Sequence, residues 1–252
     1  MNEMMQRYKA TLAYDGSRFS GFQIQPNART VQKELENALG KMHKGKAVKV
    51  TGSGRTDARV HAKGQVVHFD STLLLPPERW MKALNTLLPV DVSIVRVEAV
   101  QADYHARFDA TGKTYKYVVY RAAIRDPFRH HYTAHFPYPL QINLMREAAT
   151  ELVGTHDFTS FCSAKTDVNE KVRTVSELMI EELADELVFT FTGNGFLYNM
   201  VRIMVGTLLD IGSGKLASNQ IPEILAGRDR TLAGKTAPPE GLYLWEVYYE
   251  ED

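Results

Sequence analysis

Hydrophobic and polar positions alternate along Tyr8–Tyr14 and stop at Asp15-Gly16, which predicts a strand ending in a turn. After a loop holding Pro26, the apolar residues Val31, Leu35, Ala38, Leu39 and Met42 fall on one face at the helical period. Thr30 stands where it would cap that helix. A short strand at Ala47–Thr51 feeds the loop Gly52-Ser53-Gly54-Arg55-Thr56-Asp57. A strand at Gln65–Phe69, a helix opened by Pro77 and carrying Trp80, Leu84, Leu87 and Leu88, and a strand at Val92–Val97 complete the first hundred residues.

The second half repeats this plan. It predicts a strand at Thr114–Tyr120, a helix at Asn143–Val153, and a hairpin pairing Leu178–Glu182 with Glu186–Thr192 around a turn near Ala184-Asp185. A helix from about Leu197 and a closing strand at Tyr243–Tyr249 follow. Asp109–Lys113, with Thr111-Gly112, is the expected hinge between an N-terminal α/β domain over residues 1–108 and a C-terminal α/β domain over residues 109–252. Thr51-Gly52-Ser53-Gly54 is echoed by Thr192-Gly193-Asn194-Gly195, each ending a strand just before an Arg-containing segment. So short an echo can recur by chance, but the order of the surrounding elements agrees with it. Two similar halves facing each other would make a cleft at their junction.

Composition narrows the class. With 252 residues, 44% apolar and 24% charged, the chain has the make-up of a folded globular protein and not of a disordered, collagenous or coiled-coil one. Its longest apolar stretch, around Ile203–Ile211, is too short to span a membrane. The single cysteine, Cys162, forms neither an intrachain disulfide nor a cysteine zinc site, and together with the lack of an apolar signal segment it points to a reducing, cytoplasmic setting. Thirty basic residues balance thirty acidic ones, so any phosphate-binding surface must be local. Basic residues do gather: Lys41, Lys44, Lys46 and Lys49; Arg55, Arg59 and Lys63; Arg121, Arg125 and Arg129; Arg228, Arg230 and Lys235.

The candidate chemistry starts from the first glycine loop. Gly52-Ser53-Gly54 lacks the third glycine of a dinucleotide-binding turn, and no phosphate-loop signature occurs. What the loop offers is Arg55 and Asp57, two residues apart, followed by Arg59 and His61. On extended backbone Arg55 and Asp57 share a side, where an ion pair would hold the carboxylate ionised for work as a nucleophile or base. The same spacing also suits an ordinary surface turn. His131 and His135 have the four-residue spacing that binds a metal on a helix, but Pro127, Pro137 and Pro139 argue against a regular helix there. Tyr115 and Tyr117 share a strand face, fit either for the core or for stacking on a nucleobase.

Taken together, Tyr14-Asp15-Gly16, Gly21-Phe22-Gln23-Ile24-Gln25, Gly54-Arg55-Thr56-Asp57-Ala58 with Val60-His61-Ala62, and Ala83-Leu84-Asn85 with Leu88-Pro89 resemble the tRNA pseudouridine synthase A family. The resemblance continues through Lys113-Thr114-Tyr115-Lys116-Tyr117, Gly154-Thr155-His156-Asp157-Phe158, Gly195 to Arg202, Val205-Gly206-Thr207 and Gly241-Leu242-Tyr243-Leu244. It implies the pseudouridine synthase fold, two α/β halves whose antiparallel sheets join across a catalytic cleft. It further implies a cytoplasmic homodimer, without cofactor or metal, that isomerises uridine to pseudouridine at nucleotides 38 to 40 of the tRNA anticodon stem-loop. Carried over by motif, Asp57 is the catalytic aspartate, Arg55 its partner in the same loop, Tyr115 the active-site tyrosine and Arg202 the arginine paired with the aspartate. Leu244, or the nearby Leu242, would line the uracil pocket. Gly54 and Arg59 would add substrate contacts, and the local basic clusters would hold phosphates. Where the family usually has glycine after Asp-Ala, this chain has Arg59, and Phe22 replaces a common tryptophan. A non-catalytic RNA-binding protein using the same groove, and a metal-dependent hydrolase centred on His130–His135, are the rival readings.

Overall fold

A computed structural model of the chain describes residues 5–163 and 168–250. Contacts between Cα atoms divide it into two units, one running up to Thr111 and rejoined by the residues from Leu244, the other Gly112–Tyr243.

The first unit contains β1 (Gln6–Tyr14), α1 (Val31–Met42), β2 (Val50–Gly52), β3 (His61–Ser71), α2 (Pro77–Leu87) and β4 (Val92–Val100). β1 lies between β3 and β4 and is antiparallel to both, with Tyr8 opposite Phe69 and Ala99. Its alternation reads directly as structure, since Tyr8, Ala10, Leu12 and Tyr14 are buried while the residues between them are not. α1 buries Val31, Leu35, Ala38 and Leu39, the face its period marked. α2 buries Trp80 and Leu84, and the Trp80 ring meets those of Tyr8 and Phe69 at centroid distances of 5.1 and 5.2 Å. Side chains of this size stabilise by about 1.5–3 kcal/mol each when fully buried, so this aromatic group is the centre of the unit's core.

The second unit is built from β5 (Ala110–Tyr120), β6 (Ala134–His135), α3 (Ile142–Thr150), β7 (Gly154–Asp157), β8 (Val172–Leu183), β9 (Glu186–Gly193), α4 (Met200–Gly212) and α5 (Ile221–Gly227). Strand order is β5-β9-β8-β7, all antiparallel, while the two-residue β6 joins β5 in parallel, with Val119 opposite Ala134. The β8–β9 hairpin turns at Ala184, whose φ is +47°. α4 is buried nearly all round, and its Gly206 admits the carbonyl of Lys235 so closely that a Cβ would stand 1.6 Å from that oxygen. The segment around Lys235 is therefore seated on the helix: Gly234 N–H donates to Thr207 Oγ1 (2.9 Å) and Ala237 N–H to the carbonyl of Arg202 (3.0 Å).

β10 (Leu242–Tyr249) closes the chain, and its residues from Leu244 group with the first unit, next to β3, although the sequence alone placed this strand in the second half. The helix that the His131/His135 spacing would need does not form. That stretch is turns followed by β6, as its prolines require. Among the described residues no helix is long and apolar enough to cross a membrane.

Candidate active site

The loop that carries Asp57 leaves β2 at Gly52 and re-enters the sheet as β3 at His61. Its first residues are tied down by one side chain, Gln65. The Ser53 hydroxyl donates to Gln65 Oε1 (2.7 Å), Gln65 Nε2 donates to the carbonyl of Gly54 (3.1 Å), and Ser53 N–H donates to the carbonyl of Val66 (2.7 Å). Ser53 and Gln65 are both fully buried. A buried amide with donor and acceptor both used is favourable only in one geometry, so it fixes the loop's entry.

The middle of the loop rests on the segment after β1. The Thr56 hydroxyl lies 2.7 Å from that of Tyr14, and the Thr56 carbonyl accepts from Phe22 N–H (3.1 Å). Gly21 has φ +96°, and a Cβ on it would stand 2.8 Å from the Thr56 carbonyl oxygen. Beyond Asp57, Val60 N–H bonds back to the Asp57 carbonyl (3.2 Å) and Arg59 N–H bonds to the carbonyl of Phe19 (3.1 Å). Gly16 makes the tightest approach, since a Cβ there would lie 2.0 Å from the carbonyl oxygen of Val60. Its N–H donates to Nδ1 of buried His61 (3.0 Å), an atom that also lies 3.3 Å from Asp15 Oδ1. The motifs Tyr14-Asp15-Gly16 and Gly21-Phe22 are thus the bed on which the Asp57 loop lies.

Arg59 takes φ +66°, the left-handed conformation that glycine adopts without strain. The backbone shape is therefore retained despite the long side chain, which is exposed. The expected Arg55–Asp57 ion pair is not formed. Arg55 is exposed and makes no hydrogen bond or ion pair among the described residues, while Asp57 is half-buried and is partnered elsewhere. Thr56 between them turns inward to Tyr14, and an exposed arginine gains little by leaving water for a neighbouring carboxylate.

Tyr115 and Arg202 belong to the second unit. Tyr115 sits on β5 opposite Phe191 and meets the Phe196 ring edge-on at 5.2 Å. Arg202, in the first turn of α4, is held at two ends, Nε donating to the carbonyl of Ala237 (2.7 Å) and Nη1 to Asn199 Oδ1 (2.8 Å). Asn199 precedes the helix at φ +63°, which aims its amide back at the arginine. Burial pushes the phenol of neighbouring Tyr117 well above its ordinary range, with Glu240 adding to the rise, and its hydroxyl donates to the carbonyl of Pro238 (2.7 Å). Leu244 and Leu242 are both buried on β10. Gln65, Thr56 and Asn199 carry functional geometry that the sequence did not single out. The one available signal was a glutamine directly before the apolar pair Val66-Val67.

The histidine alternative does not converge on one centre: the His130 and His131 rings lie against each other, while the ring of His135 bonds to the carbonyl of Ala122 (2.8 Å) and that of His130 to the carbonyl of Pro127. Among the described residues no three His, Cys, Asp or Glu side chains gather into a possible metal site.

A mixed α/β chain presenting a carboxylate on a glycine-flanked, tightly bedded loop matches the residue profile of the tRNA pseudouridine synthases over residues 10–109 and 148–250. Asp57, Arg202 and Leu244 lie inside the matched stretches and Tyr115 between them. The chain belongs to the tRNA pseudouridine synthase family. It is 57% identical over 245 residues to tRNA pseudouridine synthase A 1 of Bacillus cereus, covering 97% of this chain and 99% of that one. It is also 57% identical over 248 residues to tRNA pseudouridine synthase A of Listeria monocytogenes, covering 98% and 100%. A solved chain of a Cbf5-Nop10-Gar1 complex aligns at a TM-score of 0.35 and 10% identity, over 80% of this chain and 54% of that one, a likeness too slight to carry an argument.

Proposed function

We propose that this chain isomerises uridine to pseudouridine at nucleotides 38, 39 and 40 of the tRNA anticodon stem-loop, with Asp57 as the catalytic carboxylate. The observation that carries the assignment is the loop itself: the residues on both sides of Asp57 are held by buried hydrogen bonds and close backbone contacts, so its carboxylate is positioned before substrate arrives. The reaction breaks the bond from ribose C1′ to uracil N1, turns the base and joins C1′ to C5. The proton lost from C5 is balanced by one gained at N1, so no redox or energy cofactor is consumed.

Asp57 opens the reaction by attacking C1′ or C6 or by taking a ribose proton, and each route needs it ionised. Arg202, pre-aimed by Ala237 and Asn199, favours that charge. Tyr115 stacks on the uracil and takes the C5 proton, and Leu244 gives the base an apolar wall. The target base must leave its stack, at a cost of a few kcal/mol, and the exposed Arg55 fills the gap it leaves. Gly54 lets the RNA approach the loop closely, and Arg59 adds a phosphate contact. The enzyme works as a cytoplasmic homodimer, which sedimentation at assay concentration tests directly.

The decisive experiment follows tritium release from tRNA labelled at uracil C5, for the wild type and for Asp57→Asn, with a chelator present. Release by the wild type alone, mapped to nucleotides 38–40, is the expected result. No release by the wild type while tRNA still binds would overturn the assignment in favour of an RNA-binding protein.

A further inference from the structure

We propose that the turn between α1 and β2 is a second phosphate-binding surface, gripping helical RNA of the tRNA several base pairs from the target uridine. The inference rests on the tRNA reading above and adds a site outside the Asp57 loop. Lys41, Lys44, Lys46 and Lys49 crowd into this turn and all four are exposed. The turn's shape is fixed. Lys44 and Gly45 take φ of +55° and +90°, and Gly45 N–H donates to the carbonyl of Gly40 (2.9 Å). Buried His43 pins it to the core, its ring nitrogens bonding to the carbonyl of Leu39 and to Ser71 Oγ, each at 2.7 Å. The lysines are therefore displayed from a rigid base.

Three of the four carry charge that no acid neutralises: among the described residues no carboxylate pairs with Lys41, Lys44 or Lys49. The acids nearby are engaged: Glu36 accepts from Val50 N–H and Gln32 Nε2, both at 3.0 Å, and Glu34 from Arg29 (2.9 Å). Several basic side chains of the second unit are instead paired with carboxylates, as in Arg121 with Glu182 (3.1 Å), Arg129 with Glu186 (2.8 Å) and Arg228 with Asp157 (3.1 Å). The groove of about 590 Å³ beside the turn is lined by Glu34 and Glu36 as well as Lys41, so the phosphate contacts fall to the exposed lysine side chains and not to the groove.

Position decides what the surface meets. β2 pairs with β3 from Val50 opposite Phe69 to Gly52 opposite Val67, so the lysines flank the end of β2 away from the Asp57 loop. From Lys49 to Ser53 the chain advances roughly 13 Å at about 3.3 Å per residue. That is a few base-pair steps along an A-form RNA helix. Phosphates there belong to helical RNA beyond the flipped nucleotide, and contacts to them add affinity without reading sequence.

The test compares wild type with K41A/K44A/K49A and with K41R/K44R/K49R. It measures tRNA Kd against salt and tritium-release kinetics on full-length tRNA and on a hairpin of the anticodon loop closed by two base pairs. The alanine variant should lose about 2–3 units from the log Kd against log salt slope on full-length tRNA, and its KM should rise on the order of tenfold. Its kcat should hold, the arginine variant should restore KM, and the hairpin should show no difference. An unchanged slope and KM on full-length tRNA, or equal losses on tRNA and hairpin, would overturn the proposal. If the wild type releases no tritium at all, the functional assignment fails, and the slope comparison still judges the lysine surface on its own.

Discussion

The Tyr14 and Thr56 hydroxyls lie 2.7 Å apart, both buried, one residue before Asp57. This bond joins the central strand of the first unit to the loop that carries the proposed catalytic carboxylate. Burial pushes the Tyr14 phenol well above its ordinary pKa, so it stays protonated at any working pH. Tyr14→Phe leaves the Thr56 hydroxyl without this buried partner and should cost about 1 kcal/mol of stability in urea unfolding. Because Asp57 loses part of its bed, kcat should fall roughly tenfold with KM little changed, since a small misplacement of a catalytic group is expensive. A drop in stability with kcat intact would mean that the bond serves the fold alone.

Gln65 should matter more, because one side chain satisfies two loop groups. Gln65→Leu keeps much of the volume but removes the acceptor of the Ser53 hydroxyl and the donor to the Gly54 carbonyl, at about 2–3 kcal/mol. The expected outcome is a loss in kcat larger than that of Tyr14→Phe, read in saturating tritium-release assays on protein confirmed folded by circular dichroism.

Arg59→Gly separates two roles of one residue. Glycine accepts φ +66° without the Cβ penalty, so thermal unfolding should show a gain of about 1 kcal/mol. The same change removes a cation from the loop, and the salt slope of tRNA binding should shrink by about 1. Greater stability joined to unchanged binding would dismiss the phosphate contact.

His68 makes the first unit acid-sensitive. Burial, reinforced by the charges of Arg7 and His105 and opposed by Asp70 and Asp109, lowers its pKa to about 4 from the ordinary 6.5. Its Nδ1 accepts from Ala106 N–H (3.0 Å), a bond that protonation breaks. The unfolded chain therefore binds the proton more readily than the folded one, and the stabilisation is fully present above pH 6.5 and lost as pH falls towards 4. The loss amounts to at most about 3 kcal/mol. Urea midpoints measured across that window should fall steadily for the wild type and more shallowly for His68→Asn, which keeps an acceptor that cannot be protonated.

Where a face is buried on one side only, the pattern of the chain already spelled out the element. β1, α1 and α2 fall where alternation or the helical period put them, because each has one core face. β3 begins at His61, earlier than its apolar run suggests, since Gln65 is a polar residue in a core position and breaks the alternation. α4 starts at Met200 and not at Leu197, because Asn199 holds a left-handed conformation that no periodicity records. Motif and spacing pointed to Asp57 and its loop. They could not reveal that Thr56 turns inward, that Arg55 stays in solvent, or that Gln65 fastens the loop's entry, since those depend on partners brought together only by folding.

The return of residues from Leu244 to the first unit has a consequence for the order of synthesis. β3 lies between β1 and a strand that leaves the ribosome after the whole second unit. The first unit is thus completed only after the second has been made. During translation the part of this β3 edge that β2 leaves uncovered must wait for β10, its hydrogen-bonding groups unpaired, while the second unit is made. Nascent chains halted before β10 should accordingly expose a sticky edge that chaperones recognise, while the second unit behind it can already have folded.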